Sequence, residues 1–466
     1  MQSSIFKVYD IRGIVGSELV LENVYNLAQA LAFYYKEHNP NLTTVAIGRD
    51  GRSHSLSIFD ELSRGFMDSG INVINLGVCT TPIMYFAQEK LPVQGGLMIT
   101  ASHNPPEYNG LKLMLNKNSV FGDEIQRIEQ YYQTKRVLTS SLKGSLISHD
   151  LGVDYVYYLV EQFPELVGSS DVQAVIDCAN GTAGSVLPLL KEKFEWKNVH
   201  LIYENVSANP DHQADPTNIK NLAQLKKELK KYPNHVGIGF DGDADRMSAI
   251  TEKGVHLVGD DLGSIFATEI KKSNKECSIV TDVTFSHVLI DWLKQIDITN
   301  ITSRVGHAYI KQAMKKSNAL LGIELSCHFC FADKYFGFDD GIYAMLRLFS
   351  VLISSQQTLQ IHYEKLPKRF GSALRIPYEP KQKDVIIEHV KKYFSDNPDS
   401  NITTLDGICA LMPYGWGLIR PSNTEPVLSL RFESMNPVTL AHIKKDFYTA
   451  LRKHLDSNDL KTAFKL

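Results

Sequence analysis

Four short runs of β-branched and apolar residues, each stopping at a polar turn, constrain this chain most: TVAIGRDGR at 44–52, GLMITASHN at 96–104, QAVIDCANG at 173–181 and VGIGFDGDADR at 236–246. Runs of this kind bounded by Gly, Asn and Asp read as buried strands. Between them, apolar residues recur at helical spacing, as at Val24, Leu27, Ala28 and Leu31, or from Leu222 to Leu229. Strand, polar turn and amphipathic helix in alternation predict repeated α/β units. In open α/β sheets ligands bind beyond the carboxyl ends of the strands, so the polar turns are where chemistry is expected.

A first α/β unit is expected over residues 1–149 and a second over 150–253. VTDVTFSHVLIDWL (280–293) and ALLGIELS (319–326) predict a third, over 254–366. From 367 to 466 the pattern changes: FGSALRIPYEP, an amphipathic helix around Asp384 to Phe394, and GWGLIRPSNTEPVLSLRFE before a terminal helix predict a smaller α+β domain. A chain of 466 residues, 43% hydrophobic and 22% charged, has material for several such cores.

Charge excludes one class of partner. Lys and Arg (49) nearly balance Asp and Glu (52), and a net charge of −3 offers no basic field for a nucleic-acid backbone. Lys7, Asp10 and Arg12 stand where a signal peptide would need its apolar core, and no uncharged apolar run reaches the ~18 residues of a membrane span. No membrane association and a cytoplasmic location are expected. Six scattered cysteines do not make a disulfide framework; Cys327 and Cys330, in CHFC, could form a zinc or redox site, but no second CxxC completes it.

DGDADR places Asp241, Asp243 and Asp245 at alternate positions after a strand. Three crowded carboxylates repel one another, and a divalent cation of the Mg²⁺ or Mn²⁺ kind is the natural reason to tolerate them. Three rivals share these residues. An EF-hand would need glycine where Arg246 stands and a helix rather than a strand before it. GIGFDG fits a dinucleotide-binding pattern, but its glycines lie within the strand and no helix opens after them. A phosphatase of the haloacid-dehalogenase kind would use Asp241 itself as nucleophile, and this alternative stays open.

In TASHNPP, Pro105 and Pro106 stop a helix and fix an extended turn that holds Ser102 and His103 outward. A serine hydroxyl is a weak nucleophile unless a base, a depressed pKa or a phosphate ester with a metal activates it. RPSNTEP packs a guanidinium, two hydroxyls and a carboxamide into a loop between strands, a density suited to a phosphate. Glu324, Ser326 and His328, in GIELSCH, offer acceptors and donors suited to sugar hydroxyls.

Taken in order, YDIRG, TASHNPPEYNGLK, DGDADR, GIELSCH and RPSNTEP resemble the α-D-phosphohexomutase family, closest to its bacterial phosphomannomutase/phosphoglucomutase branch. The resemblance implies four domains around a central cleft, three related α/β domains with mixed sheets and a C-terminal α+β domain. It implies a phosphoserine at Ser102, Mg²⁺ held by Ser102, Asp241, Asp243 and Asp245, and a hexose 1,6-bisphosphate as activator and intermediate. Arg12, His103, Lys112 and Arg246 would be catalytic, with Lys112 or His103 handling the proton. Tyr9, His307, Glu324, Ser326 and His328 would bind the sugar, and Arg420, Ser422, Asn423 and Thr424 its distal phosphate. The implied substrates are small hexose phosphates of mannose or glucose; oligomeric state is left open, with a monomer slightly favoured. The chain departs from the branch at Ile323 and Cys327, which stand at glycine positions, at Leu325, which replaces methionine, and at Thr284, which replaces a lysine. A phosphoglucosamine mutase, or a phosphosugar-binding protein without turnover, is the alternative.

Overall fold

The run GLMITASHN supplies a strand, Gly95–Ile99, with every residue buried, between a parallel neighbour, Thr44–Arg49, and an antiparallel one, Tyr108–Leu115. In a computed structural model that describes residues 1–422 and 426–464, it is central to a mixed sheet ordered Ile11–Ile14, Tyr108–Leu115, Gly95–Ile99, Thr44–Arg49, Asn72–Val78, Leu146–Ser148. Helix Val24–His38 turns Val24, Leu27, Ala28 and Leu31 into the core, as their spacing predicts. Helix Ser55–Asp68 runs close beside it because Gly65 has no side chain; a Cβ there would stand 2.5 Å from that of Ala28. Each fully buried Leu or Phe of this core, such as Leu31, Leu62 and Phe66, contributes about 1.5–3 kcal/mol.

A second mixed sheet is ordered His256–Leu257, Met247–Ile250, Val236–Phe240, Ala174–Asp177, Val199–Ile202. Its central strand Val236–Phe240 is fully buried, parallel to Ala174–Asp177 and antiparallel to Met247–Ile250. DGDADR is therefore the turn of a hairpin, with strands on both sides. That geometry removes the EF-hand and dinucleotide alternatives, both of which need a helix after the loop. These two sheets belong to one compact body, Met1–Leu262 with Ser326–His362. Within it, Asp340 caps helix Gly341–Ser355 by accepting from Tyr343 N at 2.9 Å, and also accepts from the hydroxyls of Tyr155 and Tyr335, each at 2.8 Å.

The second body comprises Gly263–Leu325 and the described residues from Tyr363 onward. Three parallel strands, with Cys277–Asp282 between Ile298–Ser303 and Leu321–Ile323, carry helices His287–Gln295 and His307–Ser317. An antiparallel sheet follows, ordered Phe370–Pro377, Val427–Ser434, Gly415–Pro421, Ile408–Met412, Asn401–Thr403, with helices Lys383–Ser395, Pro437–Leu451 and Ser457–Phe464. Buried Glu433 joins the two parts of this body, accepting from Ser286 Oγ at 2.8 Å and from Trp416 Nε1 at 2.9 Å. Among the described residues no helix is long and apolar enough to cross a membrane.

Candidate active site

Residues 100–107 connect Gly95–Ile99 to Tyr108–Leu115, and the prolines keep them from continuing as helix. Ser102 sits in this turn with φ +50°, a left-handed conformation rare for a residue with a side chain. Its N–H donates to Thr100 Oγ1 at 2.9 Å. The hydroxyl does not face outward as the proline pair suggests: Ser102 is 2% exposed, and Oγ donates to Asp241 Oδ2 at 2.6 Å. The burial has a steric basis in the opposite loop, where Gly242 faces the serine's backbone. A Cβ on Gly242 would stand 2.5 Å from the Ser102 carbonyl oxygen.

Asp241, Asp243 and Asp245 are fully buried, and one oxygen from each lies within 4.8 Å of the others. Asp243 Oδ2 accepts from Thr81 Oγ1 at 2.5 Å and from Lys112 Nζ at 2.6 Å, while Asp245 Oδ2 also accepts from Lys112. Asp243 Oδ1 is buried without a hydrogen-bond donor. Such an orphaned carboxylate oxygen, beside two more carboxylates and a serine hydroxyl, fits a hard divalent cation.

The three acids are not equivalent. Burial, then the charges of Asp243 and Asp245, push Asp241 well above the usual carboxylate range. Burial acts the same way on Asp245, but Lys112 and His328 outweigh it and hold that carboxyl well below the usual range. For Lys112, burial favours the neutral amine, and the three aspartates overcome it to keep the ammonium charged beyond its ordinary value.

His103 Nδ1 lies 3.1 Å from Ser102 Oγ. Burial, then the cations Arg246 and Arg12, depress its pKa well below the ordinary imidazole value, so the ring is neutral near pH 7. Arg12 holds the same turn by donating to Asn104 Oδ1 at 2.6 Å and to the Ala101 carbonyl at 3.3 Å. Arg246 Nε lies 3.8 Å from Asp241 Oδ2 and 3.2 Å from His328 Nε2, and Ser326 Oγ lies 3.3 Å from His328 Nδ1. Tyr9, half-buried, sits in the bend before strand Ile11–Ile14. A cavity of about 300 Å³ borders the serine turn, lined by Asn104, Pro105, Pro106, Asn180, His212 and Gln213 among others.

The remaining expected residues that the structure describes lie in the second body. His307 opens helix His307–Ser317, and Glu324 is buried after strand Leu321–Ile323. Arg420 ends strand Gly415–Pro421 paired with Asp406, each of two guanidinium nitrogens 3.3 Å from a carboxylate oxygen. Ser422 N donates to the Val427 carbonyl at 2.8 Å; Asn423 and Thr424 lie outside the described residues. Ile323 is buried over Gly263, whose missing Cβ leaves room for it, and the Thr284 carbonyl accepts from Arg431 at 2.5 Å.

Thr81 was not legible as a site residue: nothing in CTTPIM signals a partner 162 positions away. Asp406 likewise has no local signal and is found only through strand pairing. Cys327 and Cys330 are buried free thiols; burial pushes the Cys327 thiol well up, and among the described residues neither cysteine belongs to a group that could hold a metal.

Four family models match in chain order, all described as phosphoglucomutase/phosphomannomutase: alpha/beta/alpha domain I at residues 3–138, domain II at 153–254, domain III at 258–370 and the C-terminal domain at 374–450. A phosphomannomutase/phosphoglucomutase of Pseudomonas aeruginosa is 34% identical over 459 residues, covering 98% of this chain and 97% of its own. A phosphoglucomutase of Neisseria meningitidis is 33% identical over 453 residues, 97% of each chain. The crystal structure of a phosphoglucomutase/phosphomannomutase family protein from Burkholderia thailandensis superposes with a TM-score of 0.89 at 29% identity, over 97% of this chain and 98% of that one. Serine turn, aspartate hairpin and full-length likeness agree, and the chain belongs to the phosphoglucomutase/phosphomannomutase family, as a phosphotransferring isomerase.

Proposed function

We propose that this protein is a Mg²⁺-dependent mutase that interconverts the 1-phosphates and 6-phosphates of mannose and/or glucose, with Ser102 carrying the phosphoryl group. Its main support is the 2.6 Å contact between Ser102 Oγ and Asp241 Oδ2 inside three buried carboxylates. Asp241, Asp243 and Asp245 would hold the cation together with the Ser102 phosphate. When bound, it offsets charge and polarises the phosphoryl group.

In the forward half, the bond from Ser102 Oγ to phosphorus breaks as a sugar oxygen takes the phosphoryl group and sheds its proton. The resulting hexose 1,6-bisphosphate reorients and returns its other phosphoryl group to Ser102, so no net phosphate is consumed. Transfers of this type rest on positioning and charge neutralisation. His103 is the neutral base within reach of Ser102 Oγ, and Lys112, held charged by its aspartates, serves as a fixed cation rather than a proton acceptor. Arg12 and Arg246 would balance the phosphate charge. Tyr9, His307, Glu324, Ser326 and His328 would bind the sugar, and Arg420, Ser422, Asn423 and Thr424 its distal phosphate.

Intact-mass analysis and peptide mapping, before and after glucose 1,6-bisphosphate, test the assignment. One phosphoryl group on the Ser102 peptide is expected, with none on Ser102→Ala and turnover of that variant lost. Phosphate on Asp241 instead, or an active Ser102→Ala, overturns it. Parallel assays on glucose, mannose and glucosamine 1-phosphates fix the sugar.

A further inference from the structure

Arg52 ends the GRDGR turn after strand Thr44–Arg49, and among the described residues it makes no hydrogen bond or ion pair with Asp241, Asp243 or Asp245. Its guanidinium nonetheless uses all five of its N–H groups. Nε donates to Asp50 Oδ2 at 3.0 Å; Nη1 donates to the carbonyls of Pro105 at 2.6 Å and Tyr108 at 3.1 Å; Nη2 donates to those of Ser102 at 2.9 Å and Asn104 at 2.6 Å. Three of the five bonds thus end on the backbone of the serine turn and a fourth on Tyr108, where the next strand begins. Asp50 is fixed in its own right: its N–H donates to the Ile99 carbonyl at 2.9 Å, and its Oδ1 accepts from Ser55 Oγ at 2.6 Å, which in turn accepts from Asn109 Nδ2 at 3.0 Å.

The turn needs such a fixture. Ser102 sits at φ +50°, a conformation that costs about 1–2 kcal/mol for an L-residue and persists only where its surroundings over-determine it. Prolines at 105 and 106 remove two backbone donors; Asn104 N–H reaches the Ala101 carbonyl at 3.0 Å and Tyr108 N–H that of Pro105 at 3.1 Å, whereas the carbonyls of Ser102 and Asn104 are satisfied by Arg52. Arg52 binds the carbonyl side of Ser102, while Oγ points the other way, to Asp241.

We infer that Arg52 is a positioning residue for phosphoryl transfer: it clamps the carbonyls of residues 102, 104, 105 and 108 and so aims the Ser102 hydroxyl at the metal-binding aspartates. The inference rests on Ser102 being the phosphoryl carrier. A lysine keeps the charge but gathers its donors on one atom, which cannot span four carbonyls and a carboxylate.

The experiment compares wild type with Arg52→Lys and Arg52→Ala, reading kcat and KM for glucose 1-phosphate, phosphorylation of the Ser102 peptide by glucose 1,6-bisphosphate, and thermal midpoints. A displacement of the reacting atom by about 1 Å lowers rate by roughly 10²-fold. For Arg52→Lys we expect a folded protein with kcat down roughly 10- to 100-fold, KM within about threefold of wild type, and slowed labelling of Ser102. Guanidinium ion at millimolar concentration is expected to restore part of kcat in Arg52→Ala and to leave wild type unchanged. A folded Arg52→Lys with wild-type kcat and labelling overturns the inference, as does an effect confined to KM, or failure of both variants to fold. If wild type itself never acquires phosphate on Ser102, the phosphoserine assignment has failed instead.

Discussion

Ser102 Oγ and Asp241 Oδ2 are 2.6 Å apart although 139 positions separate them in the chain. The carboxyl that meets the serine is also the one whose pKa burial and its neighbours Asp243 and Asp245 raise. A cation binds the carboxylate form, so loading the site must expel a proton. We expect Mg²⁺ affinity to strengthen as pH rises above the ordinary carboxylate range. Calorimetry in two buffers of different ionisation enthalpy measures the proton released; identical heats in both would contradict the expectation.

Lys112 pairs with both Asp243 and Asp245 and is their counter-charge. Replacing it by Met leaves buried carboxylates without their cation, a change that costs about 3–5 kcal/mol. Divalent cations should therefore raise the thermal midpoint of Lys112→Met by more than that of wild type. Equal shifts in the two proteins would show that the lysine does not compensate this cluster.

Asp340 gives a pH dependence away from the chemistry. Burial raises its pKa from 3.8 to about 6, against the hydrogen bonds of Tyr343, Tyr335 and Tyr155. Between those values the folded state binds the proton that the unfolded chain releases, so this contribution to stability is present at low pH and lost as pH rises through about 6. We expect wild type to lose up to about 3 kcal/mol relative to Asp340→Asn as pH rises from about 4 to about 6. Urea denaturation of both proteins across that range measures it, and parallel curves would exclude the effect.

Cys327 is buried at φ +73°. A β-branched side chain is strained there, whereas glycine is at ease. Cys327→Val should be less stable than Cys327→Gly by about 1–2 kcal/mol, although valine fills the space better. The reverse order of denaturation midpoints would show that packing outweighs backbone strain at this loop.

The strand ends and the aspartate cluster were legible because local pattern decides them: an apolar run must be buried, and three carboxylates within five residues invite a cation; that the loop closes a hairpin onto Met247–Ile250 was seen only in the structure. The candidate site residues stood out for the same reason, since Ser102 and His103 share one short segment and the three aspartates another. Their orientation was not. Pro105 and Pro106 stop the helix as expected, but the hydroxyl is turned inward by Gly242 and Arg52, neither of which is near it in sequence. Thr81 and Asp406 escaped notice because a single polar residue acquires its role only from its long-range partner, Asp243 for one and Arg420 for the other. Ile323 replaces a glycine without crowding because Gly263 makes room, a compensation 60 positions away that no local pattern reveals.

The bare backbone of Gly242 under the Ser102 carbonyl has a consequence during synthesis. The serine turn leaves the ribosome with one of its walls still untranslated, and no nascent chain shorter than that glycine can complete the centre. A premature stop anywhere before the hairpin therefore yields a fragment without the three aspartates, in which the serine has no acidic partner.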